Sequence, residues 1–318
     1  MKGFYTQGVV VLFVEAPRLD VLASAIDLPI LKRIDAAASW ELGGPGLIIG
    51  FRPEVNGLVA VDVVDHPWPD GMGSPIEAPA LFGAWSTGHF GPFTYPGGLG
   101  RACQQAWNWE GDASSTIDQH RAFVRIRLSY VLGAGDDAKV MPTDCDAHAE
   151  LGTVVSMAQA IARCQGALAY FNPNGEVLMA PRELAAVLGF AAEHGREPIE
   201  TWTNVRMVNL RGVADGWLLM DTVGLAQLDL PDIEAAFPET AFRPDEVSRF
   251  LRNVSLYVAG CGDVFEDGHT IDGPGDVRWR AMRFDKGLTD PPRATVRFFP
   301  EVSAAVPDAL VTKKPPRE

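Results

Sequence analysis

Six consecutive apolar residues, Val9 to Val14, stand near the start of the chain and end at Glu15. A run this short, rich in β-branched residues, predicts a buried strand. Leu22, Ala25 and Ile26, then Ile30, Leu31 and Ile34, recur at helical spacing, so a helix is predicted over 19–34 with Pro29 breaking or restarting it. Gly43-Gly44-Pro45-Gly46 makes a turn, and the apolar runs Leu47–Phe51 and Leu58–Val64 flank Asn56-Gly57, a hairpin signal. Residues 122–132 alternate Phe123, Arg125 and Arg127 against Val124, Ile126 and Leu128, the period of a strand.

A second pass through the same order follows. Leu151, Val154, Val155, Ala158, Ile161 and Ala162 form the clearest helical stripe, predicting a helix over 150–164. Residues 167–171 and 176–179 read as strands joined by Asn172-Pro173-Asn174-Gly175, and Pro181 opens a helix that Gly195 stops. A third segment starts near Thr201, with strands over 205–210 and 217–224. Pro231-Asp232-Ile233-Glu234 has the proline and first-turn acids of a helix start, and Pro244-Asp245-Glu246 repeats them ahead of the stripe Val247, Phe250, Leu251, Val254 and Val258. Val264-Phe265 and Thr270-Ile271 around Glu266-Asp267-Gly268 predict a tight hairpin, and 294–299 a last strand. The pattern predicts an α+β fold of tandem ferredoxin-like α/β-sandwich units with mixed or antiparallel sheets. The units are placed at 1–132 and 133–300, followed by a flexible tail over 301–318 that frays from Pro307 through Lys313-Lys314-Pro315-Pro316.

Residues 66–100 break the periodicity. They are rich in proline and glycine and also in large rings, which flexible linkers are not. Trp68, Trp85, His89, Phe90, Phe93 and Tyr95 fall here, with Trp107 and Trp109 just beyond. Such rings serve either as a small core over one sheet face or as the anchors of a partner-binding surface. The burial demand of large rings favours the small core. If the segment is instead a recognition surface, these six residues are its candidates, with Trp85 or Phe90 at least partly exposed and Trp107 and Trp109 anchoring the following helix.

Charge narrows the function. Lys and Arg number 27 against 41 Asp and Glu, a net charge of −14. An acidic surface repels phosphate backbones and anionic membranes, so neither nucleic acid nor membrane is an expected partner. The run at Val9 is too short for a signal peptide, and no apolar stretch reaches the roughly 18 residues of a membrane span, so a cytoplasmic location is expected. The four cysteines, Cys103, Cys145, Cys164 and Cys261, are scattered and form no disulfide framework by their spacing.

Three constellations merit a chemical reading. Asp144, Cys145, Asp146, His148 and Glu150 gather ligand types within seven residues, but zinc needs three or four convergent ligands and no second cluster is spaced to complete them. An acidic approach to the 150–164 helix, with Asp146 as its cap, is the stronger reading. Cys261 lies ahead of a turn carrying His269, where a thiol and an imidazole could meet. A buried cysteine and an exposed turn histidine is again the simpler reading. Gly97-Gly98-Leu99-Gly100-Arg101 precedes a short helix over 101–109, yet it matches neither phosphate-binding glycine spacing. Asp136-Asp137 reads as a solvated turn pair. No metal or cofactor is expected.

Thr222-Val223-Gly224-Leu225, Leu230-Pro231-Asp232-Ile233-Glu234, the apolar helix 247–259 and the turn Asp267-Gly268-His269-Thr270-Ile271 resemble the C-terminal pattern of the DUF4261 family of bacterial proteins of unknown function. The resemblance covers roughly residues 200–275, and the family more often carries an acid where this chain has His269. It implies a fold for the C-terminal unit and no activity.

The reading these features favour is a soluble, non-enzymatic binding protein, with toxin neutralisation as its more specific form: an immunity-type protein whose charge of −14 steers a basic toxin toward it. The alternative is an enzyme: a hydrolase using Cys261 and His269, or a metal-dependent one using Cys145 and His148. A small-ligand sensor is a third reading.

Overall fold

Strand β1 (Gln7–Phe13) is buried along its whole length, as its apolar run requires. It lies at the centre of a seven-stranded antiparallel sheet in the computed structural model, which describes residues 3–35, 40–135 and 139–313. Helix α1 (Leu19–Ala25) follows, then β2 (Ile30–Ile34), β3 (Gly46–Arg52) and β4 (Gly57–Val64). Ile30–Ile34 is thus an edge strand, not the continued helix. Pro29 ends the helical pattern, and almost every residue of β2 is exposed, so its apolar spacing marks no buried face. The β3–β4 turn sits where Asn56-Gly57 placed it, with Asn56 in the left-handed region at φ 57°.

A long excursion carries α2 (Pro79–Ser86), α3 (Gly98–Gln104) and α4 (Ala113–Ile117) before β5 (Ala122–Ser129). The helix expected over 101–109 is therefore three residues earlier and shorter. The first unit ends with α5 (Ala147–Ile161), β6 (Ala167–Asn172), β7 (Val177–Met179), α6 (Pro181–Glu193) and α7 (Ile199–Trp202).

The strand order is β2-β3-β4-β5-β1-β6-β7. At its centre, β5 lies between β4 and β1, and β1 lies between β5 and β6. Two split β-α-β crossovers, β1-α1-β4 and β5-α5-β6, interleave there, which is the ferredoxin-like arrangement. Helix α5 packs on β1, β5 and β6. Leu151, Val154, Val155, Ala158 and Ile161 are fully buried beneath it, and each large side chain contributes about 1.5–3 kcal/mol. This pairing also moves the domain boundary. The chain divides into units Met1–Trp202 and Thr203–Glu318, not at 132/133. The reason is that β6, expected to start a second sheet, hydrogen-bonds to β1 of the first.

The second unit holds β8 (Asn204–Asn209), β9 (Trp217–Val223), β10 (Asp232–Pro238), α8 (Pro244–Cys261), β11 (Thr270–Gly273), β12 (Val277–Phe284), β13 (Thr295–Pro300) and α9 (Asp308–Val311). Its sheet runs β11-β12-β13-β10-β9-β8, with β10 and β13 parallel and the other pairs antiparallel. The chain is α+β, with one antiparallel and one mixed sheet. This unit has one long helix on its sheet and lacks the interleaved crossovers of the first.

Three expectations change here. Pro231-Asp232-Ile233-Glu234 opens no helix; Asp232 and Glu234 belong to the buried strand β10, where arginines rather than a helix dipole answer their charge. The expected hairpin at 264–271 is replaced by pairing of β11 with the unforeseen β12. The tail is ordered as far as α9, whose Leu310 is fully buried against Trp217, Leu219 and Phe299. Lys314, Pro315 and Pro316, like Asp136 and Asp137, lie outside the described residues.

Candidate functional site

Residues 66–121 form a layer over the face of the first sheet opposite α5. Alternation along β1 sends Val10 and Leu12 to this face, and the register brings Phe123 of β5 and Phe171 of β6 beside them. Trp68 sits on that floor. Its ring meets Phe123 and Phe171 edge-on at 5.4 Å and Phe90 at 5.3 Å, and the Trp68 backbone N–H donates to His120 Nε2 at 2.9 Å. Trp85 lies against Phe90 at 4.9 Å.

The six ring candidates therefore separate. Trp68, Trp85 and Phe90 are core at 5%, 7% and 2% exposure, which corrects the expectation that Trp85 or Phe90 reaches the surface. A sheet face this apolar has to be covered, and the nearest large rings cover it. His89 and Phe93 are half-buried, and Tyr95 is 40% exposed. Trp107, expected as an anchor, is 57% exposed, while Trp109 packs against the layer.

The glycine cradle is filled from within. Asp70 accepts from the N–H groups of Leu99 and Gly100 at 2.7 and 2.9 Å, so a carboxylate already caps α3. Arg101 is held by the buried Glu176 at 2.5 and 2.8 Å.

Beneath the layer lies a charge cluster. Asp62 of β4 faces Arg125 of β5 directly across the ladder. Arg125 donates to its carboxylate from Nε at 3.1 Å and Nη2 at 2.5 Å, and to Leu42 O at 2.8 Å. Arg127, two residues on, donates from Nη2 to Asp62 at 2.8 Å and from Nη1 to the ring and carbonyl of His89 at 3.1–3.2 Å. Arg127 also lies 4.4 Å from the Tyr5 ring, and Arg125 is within 5.9 Å of Trp40, Phe90 and Phe123. Arg125 Nη1 and Arg127 Nε are buried and have no hydrogen-bond partner among the described residues.

Burial raises the Asp62 carboxyl, but the two guanidinium charges outweigh it and the net direction is down. Burial and the same arginines hold the His89 imidazole down to about 3, so it is neutral at pH 7. The cluster thus carries two positive charges and one negative. It forms one wall of an open cleft of about 410 Å³ whose other walls include Tyr5, Ile34, Trp40 and Leu132.

The chemical candidates lie elsewhere. The thiol of Cys145 donates to Glu150 Oε1 at 2.7 Å, and Tyr130 donates to the same oxygen at 2.8 Å. His148 Nδ1 faces Glu197 at 3.4 Å and its ring meets Trp202 edge-on. Asp144 pairs with Arg52, and Asp146 caps α5 through the N–H groups of His148 and Ala149, as expected. Among the described residues, no three His, Cys, Asp or Glu side chains group as metal ligands. Cys261 is exposed at the end of α8, and His269 accepts from the Glu266 N–H at 3.2 Å. His269 also lines a shallow groove of about 600 Å³ between α8 and the edge strand β11, with Phe250, Tyr257, Phe265 and Ile271.

The second unit has its own buried charges. Asp221 binds Arg206 at 2.6 Å and Arg293 at 2.6 Å, Asp232 binds Arg293 at 3.1 Å, and Glu234 binds Arg297 at 2.6 Å. Burial raises the Asp221 carboxyl, but Arg293 and Arg206 reverse the direction. For Asp232 burial prevails and the carboxyl is raised.

Fold and site define a two-unit α+β protein with buried ion clusters in both sheets. Residues 221–298 match the family model described as Domain of unknown function (DUF4261). The match runs from β9 to β13, past the 275 limit of the resemblance, and takes in β12. No curated protein and no solved structure matches the chain. Among the described residues, no helix is long and apolar enough to cross a membrane.

Tyr5, Trp40, Asp62, Arg125 and Arg127 were not among the sequence candidates. Their available signal was a carboxylate inside the apolar run 58–64 and two arginines on one face of 122–132.

Proposed function

We propose that the chain is a non-enzymatic binding protein that docks a basic protein partner, with neutralisation of a toxin in the manner of an immunity protein as the form this takes. The observation that supports it is the outer surface of the 66–121 layer. Ile76, Tyr95 and Trp107 are exposed there, on a segment that also exposes Glu77, Glu110, Asp112 and Asp118. Exposed rings bury much area at small entropic cost, and carboxylates steer a cationic protein toward them. The layer is built on a rigid ring core, so little ordering opposes binding. The enzyme alternative has less behind it, because the Cys145 thiol is engaged by Glu150 and the His269 imidazole by a backbone N–H.

The test uses the product of the neighbouring reading frame as the partner. A one-to-one complex that weakens with salt is expected. Trp107→Ala should weaken it at least tenfold, about 1.4 kcal/mol or more, without changing Tm. A partner bound equally well by that variant, or no complex at all, refutes the reading.

A further inference from the structure

We propose that the open cleft of the first unit binds a small organic carboxylate, with its charged end at Arg125 and Arg127 and its apolar body against Tyr5 and Trp40. This goes beyond the protein–partner reading and does not depend on it.

Charge balance is the first reason. Arg125 and Arg127 are 2% and 6% exposed, Asp62 is their shared carboxylate, and His89 is neutral. One positive charge is left over in a buried place, where an uncompensated ion is costly. A monoanion closes that balance; a phosphate dianion would overshoot it.

Hydrogen bonding is the second. Among the described residues, Arg125 Nη1 and Arg127 Nε have no hydrogen-bond partner, and what lies over the guanidiniums is aromatic: Tyr5 at 4.4 Å and Trp40 at 5.9 Å. Rings satisfy a cation only in part, whereas a planar carboxylate matches the guanidinium fork. Both N–H groups are shut off from water, so the rings packed on them, Trp40 at Arg125 and Tyr5 at Arg127, have to shift as the ligand enters.

Shape is the third. About 410 Å³ falls within the range of small-molecule sites. Beyond the cluster the lining includes the apolar side chains of Ile34, Leu47 and Leu132. The backbone at Gly43, Gly44 and Gly46 forms part of it, and a Cβ on Gly44 would lie 1.8 Å from the Val63 carbonyl oxygen. That wall is fixed by close approach of chain to strand, so the rearrangement on binding is confined to the rings over the guanidiniums.

The probes are benzoate and hexanoate, against benzamide as the neutral counterpart of benzoate and inorganic phosphate as an anion with no apolar body. Calorimetric titration of the full chain is expected to give saturable one-to-one binding of at least one carboxylate, at least tenfold tighter than benzamide or phosphate. Binding should raise Tm. Leu132→Trp, which fills the cavity without altering the charge cluster, should weaken binding at least tenfold with Tm of the free protein retained. Arg127→Gln should do the same, and the Leu132 variant keeps the test valid if that protein fails to fold. Binding of neither carboxylate overturns the proposal. So does benzamide or phosphate binding as tightly, or normal binding by folded Leu132→Trp.

Discussion

Trp85→Ala separates a ring that builds the fold from one that recognises a partner. The Trp85 side chain is 7% exposed and packs on Phe90 at 4.9 Å and Trp68 at 6.3 Å. An indole buries about 200 Å², and at about 25 cal/mol per Å² its removal forfeits on the order of 4–5 kcal/mol. One term works the other way. The Trp85 Nε1–H is buried with no hydrogen-bond partner among the described residues, a penalty of about 1–3 kcal/mol that truncation relieves. The net expectation is a loss of about 3 kcal/mol in urea denaturation. Trp85→Phe, which keeps most of the ring and drops the orphan N–H, should cost under about 1 kcal/mol. Trp107→Ala, at 57% exposure, should change stability by less than about 0.5 kcal/mol. If Trp85→Ala is as stable as the parent, or Trp85→Phe is as damaging as Trp85→Ala, the packing account of this layer is wrong.

Asp62→Asn removes the one carboxylate shared by Arg125 and Arg127 and should cost about 3–5 kcal/mol in urea unfolding; a loss below about 1 kcal/mol would contradict the cluster. His89 stays neutral down to about pH 3 in the folded chain, while an unfolded histidine takes a proton near pH 6.5. The unfolded state therefore binds more protons between pH 6.5 and 3, and stability falls as pH drops through that window. This one group should account for about 2 kcal/mol between pH 7 and pH 5, a component that His89→Gln should abolish. Tyr130→Phe strips a donor from the fully buried Glu150 and should cost about 1–3 kcal/mol by thermal denaturation; an unchanged Tm would mean the carboxylate is satisfied elsewhere. Leu310→Ala should cost about 2–5 kcal/mol, whereas a frayed tail would register nothing.

What the sequence made legible was whatever one periodicity decides locally. Helices α5 and α8 were readable because each buries one stripe and has its start marked by Asp146 or Pro244. The β3–β4 hairpin was readable because Asn56-Gly57 sets its turn. Strand β10 was not, because a proline followed by acids has the same local chemistry whether a helix dipole or an arginine receives the charge. Only the register with β13, 63 residues further on, brings Arg297 to Glu234. The candidate site failed for a related reason. Arg125 and Arg127 alternate with Val124, Ile126 and Leu128 as though one face of β5 met solvent, yet the 66–121 layer covers that face and the whole strand is buried. The ring-rich segment was recognised as ordered. Which rings point down depends on Phe123 and Phe171, on strands distant in the chain.

In each unit the sheet face without the long helix carries a buried arginine–carboxylate cluster, and the two clusters differ in how their charge closes. Such rows are poor sources of stability, since desolvation consumes most of the Coulomb gain, but they penalise wrong pairings heavily. A one-residue slip of β4 against β5 would turn Asp62 to the opposite face and leave two guanidiniums buried alone. The second unit sets Asp221, Asp232 and Glu234 against Arg206, Arg293 and Arg297, three against three, with the Asp221 carboxylate further bound by Thr289 at 2.5 Å. That network is complete, and register is role enough for it. The first unit sets one carboxylate against two arginines beside a cavity. Register alone does not require the second arginine there, since Asp62 and Arg125 already form the directly opposed pair. The surplus cation marks the first unit, rather than the second, as the place for an anionic ligand.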